Sequence, residues 1–594
     1  RADALAGGTF TMALFGAFSA GKSSFANALL GESVLPVSPH PTTAAVNRIL
    51  APAEGKPHGS AAVRMKTYAM WWDDLLYSFS VLGLKEPAPD QWRRVAEGMT
   101  PSGIHPAGLP HYGFLKAAAA GWDEMEQKLG TTEMVELQAY RGYVADETKS
   151  CYVDGIDLYY SCPLTDQGIV LVDTPGADSL HARHTGVTFS YIKNADAIVY
   201  VTYYNHAFSK ADRQFLSQLG RVKDSFALDK MFFIVNAADL AQSEEELDDV
   251  VKHVRSNLAS SGVGSPHIFP VSSLSALEGK QLDDEVLLKQ SGFARFEEAL
   301  GTFAVEELPR LSLRAVYDEM GVVRDRIRVW ADMAAQDETT RARQITEMEQ
   351  VRSVALAKLD ELLERQPRRD IAQESSELLF HVRQRLDYAM NRFFQESFNP
   401  SVLREDAGQL KKVFADCGRD LMRTLSLELD QELWATTLRL EQSGRKWTEG
   451  AATKIAAELN TLAEGLSLAT RRDSDWEAPE LEESDLQIQG DWLSYWSYFK
   501  NPKHFFEGTG SAKLREAAES NVKEAIGATA ARREEQLTDH YTARSQQSLR
   551  YHHEVLKEQL MESVDAIVSS LQDGQSPLMW RQLADELERH VSSD

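Results

Sequence analysis

The run GAFSAGKSS, Gly16 to Ser24, constrains this chain more than any other stretch, because it stands between an apolar run, TMALF, and a helical one, FANALL. Gly16 and Gly21 let the backbone curl so that successive N–H groups face one point, and the helix that follows adds the positive end of its dipole. Such a cradle suits a phosphate. Lys22 would reach the β- and γ-phosphates, and the Ser23 hydroxyl would ligate Mg²⁺. A strand, a phosphate turn and a helix in that order also set the expected fold class: an α/β P-loop domain with a mainly parallel sheet and helices on both faces.

Further signals follow, all but the first at the ends of apolar runs. Thr43, in PHPTTAA, lies about twenty residues beyond Lys22 and could close over the γ-phosphate and the metal. Asp173 and Gly176, in DTPG, end the run GIVLV, where the carboxylate can hold the metal's water shell and the glycine N–H can meet the γ-phosphate. Asn236 and Asp239, in NAAD, end MFFIV, and a carboxylate there can accept two hydrogen bonds from a guanine edge. Ser272 and Ser273, in VSSLSAL, end the next run and are offered to the base. Ligands of parallel sheets sit at the carboxyl ends of strands, so the four elements together point to GTP.

GAFSAGKSS, VLPVSPHPTTA, DTPGADS, NAAD and FPVSSLSAL, followed by a long helical half, resemble the dynamin superfamily and most closely its bacterial dynamin-like members. The resemblance is specific up to residue 305 and architectural beyond it. It implies a G domain that dimerises across its nucleotides, a helical neck and trunk, and a membrane-touching paddle. By motif it assigns nucleotide binding to Gly16, Ser19, Ala20, Gly21, Lys22, Ser23, Ser24, Asp173, Gly176, Asn236 and Asp239, with Mg²⁺ on Ser23, Thr43 and Asp173. Ser19, Lys22 and Thr43 would carry catalysis, and Ser19 holds the position tied in that family to a charge-compensating monovalent cation. Two departures stand out. Ala237 replaces a lysine that packs on the base in many GTPases, and Phe18 replaces a glutamine of eukaryotic dynamins. The implied location is cytoplasmic, at the inner face of the cell membrane.

A chain of 594 residues exceeds what one core supports. Two regimes meet near residue 305: short β-branched runs before it, long helical periods after it. Leu378, Val382, Leu386, Met390 and Phe393 recur at helical spacing, as do Leu421, Leu425, Leu429 and Leu433, and Leu556, Leu560, Val564, Ile567 and Leu571. The expected division is a G domain over 1–305, neck and trunk over 306–488, an aromatic tip over 489–512 and returning helices over 513–594, with a hinge at Pro309. Between Thr43 and Asp173 the reading gives a helical insertion, with a surface loop over the Pro/Gly-rich stretch from Pro87 to Gly113.

The tip carries Trp492, Tyr495, Trp496, Tyr498, Phe499, Phe505 and Phe506 among Lys500, Lys503 and His504. Such a set fits an interfacial insertion loop on anionic lipid, with the long helices running out to it and back. The plainer alternative is an aromatic cluster folded into a bundle core. With 63 Lys and Arg against 89 Asp and Glu, a net charge of −26, nucleic acid is not an expected partner. Three cysteines exclude a disulfide scaffold and suit a reducing compartment. The string from His553 and Glu554 has Lys557 where a zinc-protease motif needs its second histidine. The first residue is Arg1, so a longer tandem parent is one expectation. A GTP-binding scaffold of low activity that recruits a protein is the alternative function.

Overall fold

The computed structural model describes residues 10–591 except 18–19, 38–44, 102–103, 175–190, 192–193, 209–211, 214–215, 217–230, 262, 264–265, 304–307, 405–409, 472, 474–475 and 573–576. Its strands are β1 (Phe10–Phe15), β2 (Val46–Leu50), β3 (Ser60–Met65), β4 (Thr132–Glu136), β5 (Val153–Tyr159), β6 (Ile169–Asp173), β7 (Ala197–Tyr203), β8 (Met231–Asn236) and β9 (His267–Val271). They form one sheet in the order β4-β3-β5-β2-β6-β1-β7-β8-β9. The β6-β1-β7-β8-β9 half is parallel throughout. Every residue of β6 and β8 is buried, as strands covered on both faces must be, and this is why they read as continuous apolar runs.

The other half was not legible. β2 alternates half-buried and buried residues, and β3 and β4 pair antiparallel, so neither offers an apolar run. The interval from Thr43 to Asp173 therefore completes the sheet instead of being a helical insertion alone. Nor is Pro87–Gly113 a plain surface loop. A helix over Trp92–Gly98 forms inside it, because Trp92 anchors on Trp71 and Trp122, with ring centroids 5.2 and 5.3 Å away.

The helices that matter below are α1 (Lys22–Leu30), α2 (Tyr68–Val81), α3 (Leu137–Ala145), α4 (Ser273–Leu282), α5 (Leu308–Ala334), α6 (Glu338–Asp360), α7 (Arg368–Ser397), α8 (Leu410–Asn460), α9 (Gly510–Gln572) and α10 (Pro577–Val591). The helical stripes expected from the sequence are the buried faces of α7, α8 and α9. At 1.5 Å per residue, the 63 residues of α9 span about 95 Å. Pro309 is the second residue of α5, where a missing N–H costs no intrahelical bond.

One expectation about the bundle is corrected. α8 does not run out to the aromatic segment but starts beside it. A Cβ on Gly418, near the start of α8, would lie 2.1 Å from Trp492. Asn460, at its far end, accepts from Leu468 N at 2.7 Å. Between them the chain returns as an extended strap over 461–491. Ser484 N donates to Asp430 at 3.0 Å, Leu486 N donates to the Ser426 hydroxyl at 3.0 Å, and Trp476 stacks on Tyr541. α9 then departs in the same direction as α8. A strap with polar backbone bonds to two helices has no periodicity to read.

Candidate functional site

The phosphate loop is built by two left-handed glycines. Gly16 has φ +146 and Gly21 has φ +85, values that a side chain resists. A Cβ on Gly16 would sit 2.1 Å from Val201 O, and one on Gly21 would sit 2.3 Å from Asn236 Nδ2. Gly21 caps α1, so the helix starts at Lys22. The Lys22 ammonium is buried and donates to Gly16 O at 3.0 Å and Ala17 O at 3.1 Å, which keeps it inside the curl of the loop. Ala20 is buried, and Ser24 is half-buried on the first turn.

The Ser23 hydroxyl donates to Asp173 Oδ2 at 3.0 Å, joining the start of α1 to the end of β6. Burial pushes the Asp173 carboxyl up from its ordinary value, opposed by the Lys22 charge and the Ser23 hydrogen bond. Its Oδ1 is buried and has no partner among the described residues. A hydroxyl and a carboxylate side by side, with a carboxylate oxygen left over, are the hard oxygen donors that Mg²⁺ takes. The residues fit the metal.

At the other end of the site the structure redistributes the roles. Asn236 does not face outward to a base. Its Nδ2 donates to Ala20 O at 3.2 Å and Gly21 O at 3.4 Å, while its Oδ1 accepts from Ser273 N at 3.2 Å and the Ser273 hydroxyl at 2.7 Å. It ties the phosphate loop to the start of α4. Ser273 is spent on that tie, and the Ser272 hydroxyl accepts from Ser275 N at 3.2 Å as the cap of α4. Neither serine hydroxyl is turned to a ligand, because buried hydroxyls take the nearest backbone and amide partners. Asp239 is exposed in the turn after β8. Ala237, just before it, holds φ +61, so that turn is bent through the left-handed region without a glycine.

Ser19, Thr43, Gly176 and Phe18 lie outside the described residues. Sequence reasoning missed Asn27. Buried in α1, it donates to Leu35 O at 2.8 Å and accepts from Val34 N and Leu35 N at 3.0 and 2.8 Å. It thereby fixes the loop that leads towards Thr43. An asparagine inside the apolar run FANALL was the available signal.

The aromatic segment divides in two. Trp492, Phe499 and Phe505 are buried in the core of α7, α8 and α9. Phe505 has its ring centroid 5.2 Å from Phe499 and 6.3 Å from both Phe398 and Phe414. In this conformation those three are core residues, which corrects their reading as lipid contacts: Gly418 leaves the space that Trp492 fills. Tyr495, Trp496, Tyr498 and Phe506 are half-buried, and Lys500, Lys503 and Leu493 are exposed. The Tyr495 hydroxyl accepts from Asn521 at 2.7 Å. Among the described residues no helix is long and apolar enough to cross a membrane.

Residues 12–238 match the family model described as Dynamin family. Over 550 residues the chain is 34% identical to Dynamin-like protein A of Bacillus subtilis, covering 90% of this chain and 44% of that protein. It is 23% identical over 326 residues to a Bacterial dynamin-like protein of Nostoc punctiforme, covering 52% and 39%. A solved structure described as an oligomerised bacterial dynamin pair aligns with TM-score 0.45 and 18% identity over 98% of this chain and 76% of that one. The chain spans less than half the length of these two curated relatives.

Proposed function

Because the chain belongs to the dynamin family through residues 12–238, we propose that it hydrolyses GTP in a head that pairs with a second head, and that its helical half turns this cycle into membrane remodelling. The observation that carries the reading is the Ser23–Asp173 pair at 3.0 Å beside the Gly21 cradle.

In this reading GTP lays its phosphates along the N–H groups of 20–24. Lys22 leaves the carbonyls of Gly16 and Ala17 for the β- and γ-oxygens, and Ser23, Asp173 and Thr43 would hold the metal. When bound there, Mg²⁺ would supply neutralisation of the phosphate charge. Asn236 acts as a strut between phosphate loop and base loop, while Asp239, exposed in the turn after β8, takes the guanine edge. Ser19 would hold a monovalent cation, whose charge would offset the charge that develops on the phosphates, Gly176 senses the γ-phosphate, and pairing of two heads excludes water from the site. Motion passes through the start of α5 at Pro309. Tyr495, Trp496, Phe506, Lys500 and Lys503 meet anionic lipid at the inner face of the cell membrane, where each lysine contributes about 1 kcal/mol.

Burial of Trp492, Phe499 and Phe505 favours one competing reading, a GTP-binding scaffold whose helical half recruits a protein. Phosphate release is measured with and without anionic liposomes over a range of protein concentrations, on the wild type and Lys22→Ala. A turnover per molecule that rises with concentration and with lipid, and is lost in Lys22→Ala, is expected. GTP binding with flat, negligible turnover and no flotation with liposomes would leave the scaffold.

A further inference from the structure

Three buried polar atoms on one side of the sheet have no partner among the described residues: the Asp173 Oδ1, the Asn47 Oδ1 and the Tyr140 hydroxyl. Asn47 stands on β2 directly opposite Asp173 on β6, in an antiparallel pair. Residues in that relation project to the same face with their side chains adjacent. Ile49 and Leu171, two positions along from each, lie in the same core cluster as Tyr140, so the three groups share one face of the sheet. Tyr140 arrives there on α3, from the interval of the chain that the nucleotide motifs leave without a role. Its side chain is wholly buried, and burial, then the charge of Asp173, push its phenol up.

Native interiors leave few buried polar groups unpaired, and each costs free energy. Packing alone does not account for the Tyr140 oxygen, since phenylalanine would fill the same space without it. A set of such groups beside a metal-holding carboxylate is the arrangement by which outer partners orient a ligand. We propose that Asn47 and Tyr140 are positioning residues of the metal site: when nucleotide and Mg²⁺ are bound, the Tyr140 hydroxyl donates to the Asp173 carboxylate, directly or through one water, and the Asn47 carboxamide holds a water of the metal's shell. The inference rests on the GTPase reading above. It gives the interval between Thr43 and Asp173 a function, since α3 also reaches the loop before Thr43 through Arg141 Nη2, which donates to Ser33 O at 2.7 Å.

The test uses a fluorescent GDP analogue and a Mg²⁺ titration on the full chain, with Tyr140→Phe and Asn47→Ala. In both variants the half-saturating Mg²⁺ concentration for nucleotide retention rises about 10-fold. Affinity for the analogue in excess chelator stays at the wild-type value. The thermal midpoint of metal-free Tyr140→Phe is unchanged or higher, because an unpaired hydroxyl has been removed. A wild-type Mg²⁺ dependence in both variants overturns this inference alone. Analogue binding by the wild type that ignores Mg²⁺, or no binding at all, overturns it together with the GTPase reading.

Discussion

The phosphate loop and the aromatic segment are the two densest signals in the chain, and they behave differently once folded. Around Lys22 the proposed function rests on backbone: left-handed glycines, successive N–H groups and a helix start form the cradle in which a phosphate would sit. The side chains then point where the motif implies, as Ser23 does to Asp173. Around Trp496 the signal is a list of side chains, and an aromatic ring suits a lipid interface or a protein core equally well. What decided among Trp492, Trp496 and Phe505 was the space left by neighbours such as Gly418. A motif that acts through the main chain keeps its local geometry when the chain folds, whereas one that acts through composition is sorted residue by residue.

Substitutions at the two sites sharpen this contrast. The largest effect is expected for Phe505→Ala, which empties the centre of the α7–α8–α9 core and costs about 3–5 kcal/mol in equilibrium unfolding. A loss under about 1 kcal/mol would mean that the segment lifts off the bundle readily, and would return Phe505 to the lipid-facing set. Lys22→Ala is next, lowering turnover by about 10²–10³-fold with little change in thermal midpoint. Comparable destabilisation there would show that the Gly16 and Ala17 carbonyls rely on the ammonium for the fold itself.

A third test falls between the sheet-bearing half and the helical bundle. A cavity of about 500 Å³ lies between α2, the start of α8 and the strap, and Asp430 lines it. Burial raises the Asp430 carboxyl from 3.8 to about 6, opposed by hydrogen bonds from Ser484 and the charge of Arg533. The folded state thus holds this proton more tightly than the unfolded one. Stability from this group is present below pH 4 and is lost as pH rises from about 4 to 6. Asp430→Asn should flatten that part of the profile and stabilise the protein at pH 7 by at most about 3 kcal/mol, read from denaturant midpoints. The smallest effect is expected for Lys500→Glu with Lys503→Glu. Both side chains are exposed, so the thermal midpoint should hold while flotation with anionic liposomes weakens by about 1 kcal/mol per charge removed. Unchanged flotation would deny lipid contact at this end of the bundle.

Legibility followed burial. β6 and β8 were read to within a residue or so because both faces are covered and their sequences are apolar without a break. β2 and β3 escaped because one face is only half covered, so VNRIL and SAAVRM mix polar with apolar residues. Within the site, Gly16, Gly21, Lys22, Ser23 and Asp173 stood out because their spacing is fixed by one loop and one strand end. Asn236, Ser272 and Ser273 were picked out too, but as groups facing the base, when their hydrogen bonds close on the protein. Asn27, Asn47 and Tyr140 carried no signal beyond being polar within apolar surroundings.

The sequence by itself determined the parallel half of the sheet, the phosphate cradle and the helical stripes, because each depends on contacts between near neighbours in the chain or on a regular period. Only the tertiary structure decided that the strap at 461–491 sends α8 and α9 the same way, that Trp492 faces inward, and that Asn47 and Tyr140 stand behind Asp173. Those outcomes join residues between 33 and 126 positions apart or more, and volume and hydrogen-bond partners at such range are set only when the whole chain has closed.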